Sequence, residues 1–424
     1  MTIHENFCWK RLRLFSNSRS MAHENFSFRK THECSGGRAR CGILTTPHGK
    51  IHTPNFVFCG TKGAMKSIST ADLRATDAEV MLSNTYHMML QPGADMVVKN
   101  GGLHKMLGWE MPMLTDSGGF QIFSLGHGGV ANEIKGRRNF SHHCKRTLLE
   151  ITEEGASFRS YIDGTKHMLT PEISVQVQRK LGADLILAFD ECTPFHSSRD
   201  YTARAMERSH RWELRSLDEF AKCNDGSQAL YGIVQGGIYE DLRKESANFV
   251  SQNDFFGQAI GGSLGGTKEQ MHEIVAMVSK FVDCSRPTHL LGIGGIGDIW
   301  NGVKNGIDTF DCVHPTRLAR HGGALCVPFL NTGGEFININ NASFRGDISP
   351  IDDNCDCYCC RNFSKSYIHH LFKAREMLGG QLLTVHNVRF MVRLMATIRR
   401  SIENETFIDE YRKWTALNFK NCQN

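Results

Sequence analysis

Two aspartates, Asp116 and Asp311, each stand directly after a short apolar run, Pro112–Thr115 and Asp308–Phe310. Two carboxylates facing one substrate can divide into a nucleophile and a general acid/base. One attacks an anomeric carbon, and an incoming group then displaces it with retention of configuration. Either residue could instead cap a helix or pair with an arginine; glycines beside Asp116 favour close approach of a ligand. Asp190, Gln235 and the Gly261-Gly262 backbone follow other apolar runs in the same way. A carboxylate accepts two hydrogen bonds from an amidine-like edge, and an amide both donates and accepts, so this set suits a guanine-like heterocycle. Phe120 could stack on such a base or simply lie in the core. The stretch Cys355-Asp356-Cys357-Tyr358-Cys359-Cys360, with His386 26 residues after Cys360, carries a third chemistry. Cys355, Cys357, Cys360 and His386 make a closed tetrahedral zinc site, structural because no position is left for water. Cys359 is the bystander, since adjacent residues rarely face one ion together. His369 and His370 are rival ligands that read as solvated helix residues. Arg317 and Arg320 follow Asp311 closely and could hold phosphates or be ordinary surface arginines. The doublets Arg137-Arg138 and Arg399-Arg400 read as solvated faces.

These residues need a frame that brings them together. Eight short apolar runs alternate with helical patterns: Asn55–Cys59, Glu79–Ser83, Pro112–Thr115, Asp184–Phe189, Ala229–Val234, Gly257–Ile260, His289–Ile293 and Asp308–Phe310. Eight strands close a (β/α)8 TIM barrel, whose active site lies at the C-terminal strand ends, where the residues above fall. Pro171–Leu181 and Lys268–Val282 are expected helices. Residues 26–54 read as an antiparallel hairpin ahead of the first barrel strand. Residues 117–170 and 331–390 interrupt the alternation. The expected organisation is an extension over 1–22, where His-Glu-Asn-Phe at 4–7 recurs at 23–26, and one α/β barrel domain over 23–424. A zinc-binding subdomain occupies about 331–392 of it. A doubly wound sheet is disfavoured because no Gly-x-Gly-x-x-Gly follows the first strand.

Composition agrees with an ordered, core-forming chain: 424 residues, 40% hydrophobic and 22% charged. The 15 cysteines are too thinly spread for the disulfide framework of a small secreted domain. No uncharged apolar run approaches the ~18 residues of a membrane helix. Net charge is +5, which permits a polyanionic partner without demanding one.

The strings Asn84-Thr85-Tyr86-His87, Thr115-Asp116-Ser117-Gly118-Gly119-Phe120-Gln121, Phe189-Asp190-Glu191-Cys192-Thr193, Ile233-Val234-Gln235-Gly236-Gly237, Phe310-Asp311-Cys312-Val313 and Pro315-Thr316-Arg317 occur in that order, ahead of the Cys/His cluster. Together they resemble the tRNA-guanine transglycosylases, also called queuine tRNA-ribosyltransferases, over residues 26–395. The resemblance implies a cytoplasmic, zinc-containing barrel that exchanges the wobble guanine of a tRNA anticodon for a free 7-deazaguanine base. It implies Asp311 as nucleophile on the ribose and Asp116 as general acid/base. Asp190, Gln235 and Gly262 would hold the base edge, Phe120 and Leu291 its faces, with Ser117, Gly118 and Gly119 beside it. RNA contacts would come from Gly292 to Asp298 and from Thr316 through Arg317 to Arg320. Bacterial catalytic members are homodimers; a non-catalytic tRNA-binding subunit of a heterodimer is the alternative, and both carboxylates argue against it. This chain departs from the family at Ser263, where Leu is usual, and at Thr267, where an acidic residue is usual. At Gly265 bacterial members tend to carry Val. The glycine makes room for a bulky 7-substituent, which leans towards queuine, whereas Cys192 is the bacterial choice in its motif.

Overall fold

A computed structural model describes residue 23 and residues 25–126 and 147–416. The expected extension over 1–22 and the Arg137-Arg138 doublet lie outside the described residues. Strands β1 (Ser27–Glu33), β2 (Arg40–Thr46) and β3 (Gly49–Thr53) form an antiparallel sheet, one strand more than a hairpin. Next come β4 (Asn55–Cys59), β5 (Met81–Ser83) and β6 (Met113–Thr115), all parallel. A separate antiparallel sheet of β7 (Leu148–Ile151), β8 (Ala156–Arg159) and β9 (Lys166–Leu169) fills part of the first interruption. The parallel set resumes with β10 (Leu185–Leu187), β11 (Ala229–Val234), β12 (Gly257–Ile260), β13 (Thr288–Leu290) and β14 (Thr309–Cys312). β14 pairs with β4 and closes the eight-stranded barrel. Strands β15 (Gly323–Leu325) and β16 (Phe336–Asn338) pair ahead of the cysteine cluster.

Successive strand residues point to opposite faces, and two clusters record this period of two. Val57, Leu82, Leu114, Leu187, Tyr231, Ile233 and Ala259 pack together in the barrel interior, joined by Leu44 and Ile51 of the N-terminal sheet, which plug it. Phe56, Phe58, Met81, Met113, Ile186, Leu230, Ile260, Leu290 and Phe310 alternate with them and face the helical layer. Continuing the inward parity past each strand brings Cys59, Asp116, Gln235, Leu291 and Asp311 to the mouth.

Helix Pro171–Leu181 forms as expected, with Thr170 as its N-cap. The helix starting at Lys268 stops at Val278, short of the expected Val282. Beyond it the N–H groups of Lys280 and Phe281 reach the carbonyls of Met277 and Val278, three residues back, at 3.1 and 2.9 Å, so the helical ladder gives way to tight turns.

The floor of the barrel is held by buried ion pairs and polar contacts. Arg40 on β2 reaches Asp308, just before β14, with Nε–Oδ1 at 2.9 Å and Nη2–Oδ2 at 2.5 Å. The Thr288 N–H donates to the same carboxylate at 2.7 Å. Asp184, fully buried ahead of β10, accepts from the Met113 N–H and contacts His48 and His104 at 2.7 and 3.2 Å. Arg399, expected to be solvated, donates to the carbonyls of His52 and Pro54 below β4, whereas Arg400 is exposed. Removing one partner of a buried pair strands the other charge. Arg40→Met should therefore lower unfolding free energy by about 3–5 kcal/mol, read as a fall in denaturant midpoint at constant slope. A loss under about 1 kcal/mol would show that the pair contributes little.

Candidate active site at the barrel mouth and a buried metal centre

Asp116 and Asp311 end β6 and β14 at the same mouth. They lie close enough for the charge of Asp311 to raise the Asp116 carboxyl and for both to bear on the Cys59 thiol between them. Among the described residues, neither pairs with an arginine or lysine.

Their surroundings differ in kind. Asp116 is held on both oxygens: Oδ1 by the Thr85 N–H at 2.8 Å, Oδ2 by Asn84 Nδ2 at 2.6 Å and Gln121 Nε2 at 2.7 Å. Burial still pushes this carboxyl above its usual range, with those three donors pulling the other way. Asp311 is held on one oxygen. Its Oδ1 accepts from the Gly292 N–H at 3.0 Å and from His289 Nε2 at 3.1 Å. Its Oδ2 has only the Cys59 thiol, a weak donor, at 3.7 Å. One carboxylate is thus locked, and the other keeps a free oxygen.

Asp190, after β10, takes Gln235 Nε2 at 2.5 Å on one oxygen and Ser117 Oγ at 3.4 Å on the other. Burial pushes its carboxyl up to about 7, against the pull of both donors. Gly262 has φ +75, and a Cβ there would lie 2.4 Å from Gln235 Oε1, so only glycine lets the amide reach Asp190. A Cβ on Gly119 would meet the Asp190 carbonyl at 2.8 Å, so Ser117 and Gly119 lie against the same residue, whereas Gly118 lies against Tyr86 and Leu169. Leu291 borders Gly261. Phe120 is 42% exposed at the start of helix Gly119–Gly126, on the surface and outside the core.

The remaining residues with expected RNA contacts fall less evenly. The Gly292 N–H is engaged by Asp311. Asp298 is mostly buried, and its charge is matched within the chain by His272 at 2.9 Å and Lys268 at 3.4 Å. Thr316 is buried, its hydroxyl on the Val313 carbonyl. Arg317 is exposed at the end of helix His314–Arg320. Arg320 Nη1 is buried with no partner, and burial followed by repulsion from Arg317 depresses its guanidinium. Among the described residues neither arginine has an acidic partner, an arrangement that favours an anion beside them.

Cys355, Cys357, Cys360 and His386 converge so that one donor atom from each lies within 4.8 Å of the others, all buried. Cys360 Sγ is 3.3 Å from His386 Nδ1, and His386 Nε2 lies 2.9 Å from the Leu325 carbonyl. The carbonyl fixes the proton on Nε2 and leaves Nδ1 free as a ligand, the usual outer support of a metal-binding histidine. This group could hold a metal ion, and four protein donors complete its coordination. Cys359 stays outside it. The rival His369 is not solvated as expected: it is buried, Nδ1 lying 2.7 Å from the Ile339 carbonyl, while His370 is exposed.

Five supporting residues escaped the sequence reading. His289 grips Asp311. Asn84 and Gln121 lie inside quoted strings, yet nothing in a string shows that both converge on Asp116. Arg243, fully buried, donates to the carbonyls of Val234, Gly237, Gly261 and Ser263 and so fixes the loops after β11 and β12. Asn387, next to His386, accepts from the Leu325 N–H and donates to the carbonyls of Pro315 and Gly323. It ties the metal centre to the helix bearing Arg317 and Arg320.

The family model described as queuine tRNA-ribosyltransferase matches residues 34–420. Curated relatives of that name agree. One from Roseiflexus sp. (strain RS-1) is 47% identical over 389 residues, covering 90% of this chain and 96% of the relative. One from Protochlamydia amoebophila is 46% identical over 381 residues, covering 90% and 96%. One from Synechococcus elongatus is 43% identical over 390 residues, covering 92% and 94%. With a closed barrel, two carboxylates at its mouth and matches spanning nearly its whole length, the chain belongs to the queuine tRNA-ribosyltransferase family.

Proposed function

We propose that this chain is a tRNA-guanine transglycosylase that replaces the anticodon wobble guanine with a 7-deazaguanine base by double displacement. The observation that carries the reading is the contrast between the two carboxylates. Asp311, with Oδ2 free, attacks the ribose anomeric carbon and forms the covalent intermediate. Asp116, raised and held by three donors, gives a proton to the departing guanine and takes one from the incoming base. The new base then displaces Asp311, and the two inversions give net retention. Asp190, Gln235 and the glycine backbone receive the base edge, with Phe120 and Leu291 on its faces, Ser117 and Gly119 against Asp190 and Gly118 in the same turn. An anticodon loop yields an unstacked base at low cost, which suits a pocket for an extruded nucleobase.

Arg317 and Arg320 serve the backbone phosphates, and Gly292, Asp298 and Thr316 stand on the elements that carry this contact. The metal is a structural zinc: thiolates with one imidazole suit it, and it supplies rigidity beneath the helix His314–Arg320. The family reading extends to a cytoplasmic homodimer. No helix among the described residues is long and apolar enough to cross a membrane. For the incoming base, the preference for queuine over the aminomethyl precursor rests on the departures in sequence, since a Cβ at Gly265 would meet Gln270 Oε1 at 2.6 Å.

Exchange of labelled guanine into unmodified tRNA, with and without each deazaguanine, tests the function. Labelled guanine should enter the tRNA and queuine should compete it out, while Asp311→Asn should abolish exchange with tRNA still bound. Exchange surviving in that variant would refute the nucleophile.

The base edge donates protons, so it binds ionised Asp190, and protonation opposes binding. With the carboxyl near 7, KM for free guanine should rise roughly 25-fold between pH 7.5 and 5.5. A flat KM over that range would remove Asp190 from the base site. Replacing Arg317 and Arg320 together should weaken tRNA binding and reduce the slope of log affinity against log salt by roughly 1.5. An unchanged slope would make them surface residues.

A further inference from the structure

The grip on Asp311 comes from a side chain without a role in the chemistry above. His289 on β13 is fully buried, and β13 and β14 run parallel with His289 opposite Thr309. His289 Nε2 lies 3.1 Å from Asp311 Oδ1, and its Nδ1 lies 2.9 Å from Thr309 Oγ1. Valence orders this chain of contacts. An ionised carboxylate only accepts, so Nε2 carries a proton; in the neutral ring Nδ1 then accepts, and the Thr309 hydroxyl donates.

With the Gly292 N–H, the ring places two nitrogen donors on Oδ1, whereas Oδ2 has, among the described residues, the weak Cys59 thiol at 3.7 Å. We propose that His289, oriented by Thr309, is a positioning residue that holds Asp311 by Oδ1 so that Oδ2 is the attacking oxygen. The inference rests on Asp311 being the nucleophile. When the Oδ2–C1′ bond forms, Oδ1 becomes the carbonyl oxygen of the glycosyl ester and its two hydrogen bonds weaken. When the incoming base breaks that bond, the electron pair returns to the carboxylate, and the same donors stabilise it as leaving group. No proton moves through His289 in either step.

The test compares His289→Ala, His289→Gln, Thr309→Val and the pair His289→Gln/Thr309→Val, with Asp311→Asn as reference. Exchange kcat and tRNA Kd are measured for each. A Gln amide can donate to Oδ1 from near the Nε2 position and needs no tautomer partner. His289→Ala should lower kcat about 10–100-fold, the scale of an outer-sphere orienting contact, with Kd changed less than about twofold. His289→Gln should recover most of that loss. Thr309→Val should slow the parent enzyme yet add nothing in the Gln background, the non-additivity expected of one linked unit. Should the Ala variant fail to fold, the Gln and Val variants decide the matter.

An unaltered kcat in His289→Ala would overturn the proposal. So would His289→Gln being as slow as Ala, or Thr309→Val slowing both backgrounds equally. Full activity in Asp311→Asn would sink the nucleophile reading itself, whereas an inactive Asp311→Asn beside a fully active His289→Ala would sink only the positioning role.

Discussion

A carboxylate buried in a protein is costly unless its oxygens are hydrogen-bonded, yet one that must attack a sugar has to keep an oxygen free. The mouth of this barrel meets both demands by unequal treatment. Asp116 has nitrogen donors on both oxygens and Asp311 on one. The remaining oxygen of Asp311 faces a thiol, a soft neighbour that loses little when the oxygen turns to substrate.

Such placement has to hold to a few tenths of an ångström, and the molecule invests its rigidity accordingly. Below, the interior is plugged by Leu44 and Ile51, and the floor is tied by Arg40 to Asp308 and by Asp184 to three partners. Above, glycine loops lie open towards substrate, and Arg243 braces two of them from behind through four carbonyls. To one side, Asn387, next to His386 of the Cys/His group, ties down both ends of the helix that carries Arg317 and Arg320. With four protein donors, that group would leave a bound ion no open position.

Much of this was legible in the sequence because alternation is local. Each barrel strand carries its facing pattern in three to six residues, and the first polar residue beyond an inward apolar position points to the mouth. The cysteine spacing likewise announces its chemistry within a few residues. What stayed hidden was pairing across the chain. His289 and Asp311 are 22 residues apart, and Asn387 and Pro315 are 72 apart. A lone histidine opening an apolar run looks like a core residue until the neighbouring strand is placed beside it. The solvated reading of His369 failed for the same reason: its partner is a backbone carbonyl 30 residues away. The helix ends at Val278 in a switch to three-residue turns that apolar periodicity does not register, since Phe281 and Val282 still pack on the core.

The unequal carboxylates imply a single site of covalent attachment. Incubating the chain with unmodified tRNA in the absence of free base, then denaturing, digesting and locating the ribose-linked residue by mass spectrometry, examines that directly. The account predicts an RNA fragment on the peptide containing Asp311 and none on the peptide containing Asp116. Attachment at Asp116 would contradict it.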